Sequence, residues 1–257
     1  MNRLPIILAL AIGSLFAATT RADDSRIYEM RTYTCNEGKL DALLARFRDH
    51  TCKLFEKHGI GNVGYWVPVE EADGSKDTLI YIIEHKSRDA AKASWKAFGA
   101  DPEWQVARKA SEEAGKILAK PPESVFMTMT DYSPALAIAK GEKPRVFELR
   151  TYTANEGKLD ALHARFRDHT MKLFSKHGMS HLGYWVPVDA DKGAGSKLIY
   201  IISHDSKEAG LTSFASFRKD PDWVKAKTDS EKDGPLTIQP GGVKSVYMQP
   251  TDFSPIQ

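Results

Sequence analysis

From Arg26 to Thr34 apolar and polar residues alternate and β-forming residues dominate, which predicts a strand. Asn36 stands where a helix cap is expected. Leu40, Leu43, Leu44, Phe47, Leu54 and Phe55 then recur at helical spacing, and His58-Gly59 ends that helix. Val63–Val69 predicts a second strand; Pro68 places it at a sheet edge or stops its pairing there. Asp73-Gly74 is a turn and Thr78–His85 a third strand. Ser87 caps a helix running to Phe98, and Asp101-Pro102 opens another with proline in its first turn. Glu123–Asp131 is the last strand. The order is βαββαβ with an added short helix, a ferredoxin-like unit.

The same pattern returns 119 residues later. Arg26–Pro68 and Arg145–Pro187 agree at 32 of 43 positions, sharing RTYT, NEGKLDAL, ARFRDHT, KHG and GYWVP. The register continues through His85/His204 and Asp101-Pro102/Asp220-Pro221, slips by two, and ends at Tyr132-Ser133-Pro134 and Phe253-Ser254-Pro255. A period this long is a small domain, not a solenoid turn. The expected division is repeat 1 over 23–133, a linker over 134–144 and repeat 2 over 145–257. A sheet with helices on one face leaves its other face bare. Two units in one chain can bury those faces together, so the expected fold class is α+β: tandem ferredoxin-like repeats closing an intramolecular, pseudo-dimeric α+β barrel.

Residues 1–22 read as a secretory signal: Arg3, an apolar run from Ile6 to Ala18, and small Thr20 and Ala22 before a cut at Asp23. The run is short of the roughly 20 residues that span a bilayer. The expectation is a cleaved, periplasmic or secreted protein with no membrane attachment afterwards; an uncleaved anchor is the alternative. Lys and Arg number 36 against 34 Asp and Glu, and the signal holds two of the arginines and no acid. A near-neutral chain lacks the positive excess that binds nucleic acid. Phosphate-loop, GxSxG, HExxH and CxxC motifs are absent.

YEMRTYTCNEGKLDALLARFRDH, then KHGI and GYWVP, closely resembles the NIPSNAP domain, and FELRTYTANEGKLDALHARFRDH, KHGM and GYWVP resembles it again. The resemblance covers nearly all of the chain after residue 22. It implies the dimeric α+β barrel fold, whose superfamily holds cofactor-free monooxygenases, haem degraders, chlorite dismutases and lactone isomerases. It implies no general catalytic activity for NIPSNAP proteins. The mitochondrial signalling roles of some members do not carry over to a chain with a secretory signal.

In the first strand Glu29, Arg31 and Tyr33 share one face, repeated as Glu148, Arg150 and Tyr152. With Tyr28, Met30 and Thr32 placed under the helices, the polar face is expected to line the barrel seam or lumen. There arginine binds an anionic or carbonyl group, or a Glu–Arg pair fixes register as a buried charge pair. Trp66 and Trp185 sit in Tyr-Trp pairs that floor an apolar pocket or pack the core. His50 and His58, like His169 and His177, lie eight residues apart, about 12 Å along a helix. One zinc with ligands roughly 2 Å away cannot bridge them, so no metal site is expected. Each is a lone haem ligand or general base, or a satisfied helix-face histidine. No cofactor is expected, haem being the one kept open. Cys35 and Cys52, roughly 24 Å apart along a helix, should not pair. Leu44 against His163 and Asn62 against His181 are the asymmetric positions to inspect if one repeat alone keeps a pocket.

The expected role is an exported protein binding a small, partly apolar ligand. A cofactor-independent monooxygenase or isomerase and a protein-interaction module are the alternatives, and a higher oligomer is open.

Overall fold

The computed structural model describes residues 26–141 and 143–257; the signal expected over 1–22 lies outside them. Repeat 1 runs β1 (Ile27–Thr34), α1 (Leu40–Arg46), α2 (Cys52–Lys57), β2 (Gly61–Pro68), β3 (Thr78–His85), α3 (Arg88–Ala100), α4 (Pro102–Ser111) and β4 (Glu123–Met129). Repeat 2 follows with β5 (Val146–Thr153), α5 (Leu159–Arg165), α6 (Met171–Lys176), β6 (Ser180–Pro187), β7 (Lys197–His204), α7 (Lys207–Phe217), α8 (Pro221–Ser230) and β8 (Val243–Pro250). Each repeat forms an antiparallel sheet, ordered β4-β1-β3-β2 and β8-β5-β7-β6, and the two close into one eight-stranded barrel. Closure comes from β2 on β8 and β4 on β6; Pro68 lies opposite Met248, and Val69 N just beyond it donates to Tyr247 O at 2.8 Å, so the proline does not end the pairing as expected. Among the described residues no helix is long and apolar enough to cross a membrane.

Local signals explain the elements. Ser87 and Ser206 cap α3 and α7 by accepting from Ala90 N and Ala209 N. Asp101 and Asp220 cap α4 and α8, whose first residues are Pro102 and Pro221. Asn36 departs from expectation: α1 is preceded by Lys39, with no side-chain cap. The Asn36 amide donates instead to Lys116 O at 2.9 Å, pinning the loop ahead of β4. The long first helix is also not uniform. A π-helical turn, Phe47–Thr51, joins α1 to α2, and Phe166–Thr170 joins α5 to α6. The Thr51 and Thr170 hydroxyls each donate to the carbonyl five residues back, Arg46 and Arg165, at 3.1 Å.

The barrel interior holds Tyr28, Val63, Trp66, Ile80, Ile82 and Met127 from repeat 1, packed with their counterparts from repeat 2. Trp66 and Trp185 are fully buried there. Gly64 makes room for the Trp66 indole: a Cβ on it would lie 2.3 Å from the ring. Two further cores lie outside the barrel wall, one per repeat, between sheet and helices.

This arrangement reverses the expected faces of β1. Tyr28 and Met30 point into the barrel, whereas Glu29, Arg31 and Tyr33 face the helices. Alternation shows which residues share a face, but here both faces are buried, so polarity alone does not say which side is which.

The ends of the repeats cross over. Tyr132, past β4, lies against Phe166 and Tyr184 of repeat 2, and Phe253, past β8, lies against Phe47 and Tyr65 of repeat 1. The Ser133 hydroxyl accepts from Tyr184 N and that of Ser254 from Tyr65 N, both at 3.0 Å.

Candidate functional site

Between the outer sheet face and α3, Glu29 is the hub of a buried polar cluster. Its carboxylate is 1% exposed. It accepts from Arg31 Nη1 at 2.6 Å, Ser124 Oγ at 2.6 Å, Trp95 Nε1 at 2.8 Å and His85 Nε2 at 3.1 Å. A carboxylate only accepts, so His85 carries a proton on Nε2. Burial pushes the Glu29 carboxyl up, but His85, Arg31, Ser124 and Trp95 together outweigh it and hold it at about 2. The Arg31 guanidinium lies 4.5 Å from the Trp95 ring and 5.6 Å from that of Tyr33. Burial opposes the Arg31 charge, while the Glu29 carboxylate favours it through charge and a hydrogen bond.

Repeat 2 rebuilds the cluster with two changed rings: Phe214 for Trp95, and Tyr247 for Phe126 beside the histidine. Glu148 accepts from Arg150 Nη1 at 2.5 Å, Ser245 Oγ at 2.5 Å and His204 Nε2 at 2.9 Å. Phe214 stands where repeat 1 has Trp95, which removes one donor, and Arg150 lies 4.4 Å from its ring. Arg150 Nη2 also donates to the Tyr152 hydroxyl at 3.3 Å. Burial again pushes the Glu148 carboxyl up, and His204, Arg150 and Ser245 bring it below its ordinary value.

Three buried polar atoms in each cluster have no partner: Arg31 Nε, Tyr81 Oη and His85 Nδ1, matched by Arg150 Nε, Tyr200 Oη and His204 Nδ1. Arg31 and Tyr81 are opposite one another on β1 and β3, as Arg150 and Tyr200 are on β5 and β7. Burial raises both tyrosine hydroxyls well above their usual range, so they remain protonated donors. Each cluster therefore presents an arginine edge and a phenol hydroxyl to an oxygen acceptor, among aromatic rings.

Of the residues singled out from the sequence, Glu29, Arg31 and Tyr33 do come together, as do Glu148, Arg150 and Tyr152. His50 and His169 do not join them; both are exposed on the π-helical turns. Trp66 and Trp185 lie across the sheet, inside the barrel, with unpartnered indole N–H groups. His169 lines a groove floored by Leu173 and Ala226 and edged by Lys172, Lys176, Lys225, Asp222 and Asp229. His58 and His177 are held through Nε2 by the capping Asp101 and Asp220 at 2.7 Å. Among the described residues no group of three His, Cys, Asp or Glu could hold a metal. Cys35 and Cys52 are free thiols. Burial pushes Cys35 up to about 11 and Cys52 to about 12, which makes both poor nucleophiles.

His85, Trp95 and Ser124 escaped the sequence reading as site residues. His85 and His204 match between the repeats, which was their one signal. Trp95 and Ser124 come from α3 and β4, and only the fold brings them to β1.

The NIPSNAP family profile matches residues 28–134 and again 147–255. The NipSnap homolog of Dictyostelium discoideum is 26% identical over 161 residues, 62% of this chain and 63% of that protein, so the match spans under two thirds of the relative's length. A crystal structure from Fusobacterium nucleatum, provisionally assigned as a monooxygenase, superposes with TM-score 0.56 at 11% identity, covering 89% of this chain and 93% of its own. A chlorite dismutase variant from Candidatus Nitrospira defluvii gives TM-score 0.50 at 9% identity, covering 90% and 92%. At such identities these two structures share the dimeric α+β barrel fold alone.

Proposed function

The chain belongs to the NIPSNAP family, and on that premise we propose that each of its repeats binds a small, partly apolar molecule through a carbonyl or carboxylate. The site lies between sheet and helices, at Arg31 with Tyr81 in one repeat and Arg150 with Tyr200 in the other. One observation carries the reading: the buried, unpartnered Arg Nε and Tyr hydroxyl recur in both repeats. Leaving such groups unsatisfied costs about 1–3 kcal/mol each, a cost that an oxygen acceptor removes. The surrounding rings, Tyr33 and Trp95 or Tyr152 and Phe214, suit an apolar body next to that oxygen. Arg31 keeps 16% of its side chain exposed, which supports access from the surface. The protein acts after export, directed by residues 1–22.

The test uses benzoate as probe and thermal unfolding as readout. Arg31→Lys with Arg150→Lys keeps a cation for Glu29 and Glu148 but removes the planar fork. Benzoate should raise the melting temperature of the wild-type chain and leave that of the double variant unmoved. Equal responses, or none in the wild type, would overturn the proposal. Oxygen uptake or isomerisation of a bound carbonyl compound would move the reading to the enzyme alternative, with the Glu29-held His85 as its base.

A further inference from the structure

The crossover of the repeat ends builds two matching seams, and one of them carries two residues the other lacks. On the repeat 2 side an open groove of about 320 Å³ is lined by Thr130, Asp131, Asp160, His163, Arg167 and Val186, with Asp131, Asp160 and Arg167 exposed. The equivalent positions at the other seam are Thr251 and Asp252 from the end of repeat 2 with Asp41, Leu44, Arg48 and Val67 of repeat 1. Only His163 is new, and the crossing aromatic residue beside it is new too: Tyr132 where the other seam has Phe253. These two changes are a matched pair, because the Tyr132 hydroxyl and His163 Nδ1 lie 2.8 Å apart.

The proton positions follow from the surroundings. Burial raises the Tyr132 hydroxyl, so it stays protonated. Burial also lowers His163, which keeps the ring neutral. Tyr132 therefore donates to Nδ1, and the imidazole proton sits on Nε2. No hydrogen bond among the described residues uses that Nε2. Arg167 commits Nε and Nη2 to Asp131 at 2.9 and 2.7 Å, leaving Nη1. Asp160 stands three residues before His163 on α5, on the same helix face. It makes no hydrogen bond or ion pair among the described residues. The lining thus holds two carboxylates, one guanidinium and a neutral imidazole, a net charge of −1. One carboxylate, the exposed Asp160, is uncommitted, and the N–H donors line the same groove.

We propose that this open seam groove binds a small primary ammonium compound bearing an oxygen on a neighbouring carbon, an amino alcohol or an amino acid. The ammonium pairs with Asp160, and the oxygen accepts from His163 Nε2 and Arg167 Nη1. Val186 supplies an apolar wall. The volume lies at the small end of ligand pockets, about 300–1,000 Å³, which favours a compact ligand. The site is distinct from the two sheet–helix clusters, and its test does not depend on theirs.

Ethanolamine and L-serine are the probes, with ethylene glycol and acetate as controls that lack the ammonium. Nitrogen resonances of labelled histidine report on His163, assigned by its loss in His163→Leu. Either probe should move the His163 Nε2 signal at millimolar concentration, and the controls should not. The probe that binds better separates amino alcohols from amino acids. His163→Leu and Tyr132→Phe install the residues the other seam already carries, so the fold is retained, as circular dichroism would check. Each, like Asp160→Asn, should weaken binding about tenfold by calorimetry. No movement of the His163 signal with either probe, an equal response to ethylene glycol, or unchanged affinity in His163→Leu would overturn the proposal.

Discussion

Asp131 of repeat 1 grips Arg167 of repeat 2 through paired hydrogen bonds of 2.9 and 2.7 Å, and Asp252 holds Arg48 the same way at 2.7 and 2.8 Å. These pairs fork ideally but lie in solvent, with the acids 64% exposed. Exposed pairs contribute about 0–1 kcal/mol. The rings beside them do more, since Phe253 covers Phe47 and Tyr65. Phe253→Ala should cost about 3 kcal/mol and Asp252→Ala under about 1 kcal/mol in urea unfolding. Equal costs would show that charge, not ring packing, fastens the crossover.

Acid should loosen the clusters behind the barrel wall. The Glu29 carboxyl sits at about 2 when folded, against an ordinary 4.5. A lowered carboxyl stabilises the fold fully above the ordinary value and loses that contribution as pH falls toward 2. The size is roughly 3 kcal/mol by linkage. Glu29→Gln should therefore be less stable than wild type near neutrality, with the gap closing as pH drops through this window. A gap independent of pH, measured by urea unfolding, would contradict the charged assignment of Glu29.

Export makes a simple prediction about the mature chain. Expressed with residues 1–22 in a bacterium, the protein recovered from the periplasm should begin at Asp23 by intact-mass measurement. A periplasmic chain that keeps Met1, or one retained in the cytoplasm, would exclude cleavage before Asp23.

Much of the architecture was readable because its causes are local. Alternation located β1, Ser87 and Asp101-Pro102 marked helix starts, and the 119-residue repeat implied the closed pair. The β1 faces were read backwards because Tyr28 and Met30 look as suited to a helix-covered face as to a barrel interior. The π-helical turn was invisible, since Phe47 fits an ordinary helix spacing and only the Thr51 bond to Arg46 O reveals the extra residue. The site was half legible. Glu29 and Arg31 are neighbours on one strand face, but His85, Trp95 and Ser124 reach them only through tertiary folding. The Leu44/His163 asymmetry was plain in the sequence, whereas its partner Tyr132 belongs to the other repeat and meets it only by crossing over.

Closing the barrel within a single polypeptide has a consequence for how its two halves change. Identical subunits share every mutation, so a substitution suited to one seam is forced on its twin. Here one gene encodes both sides separately, and their association does not weaken on dilution as a dimer's does. One seam can keep its packing while the other drifts toward new chemistry.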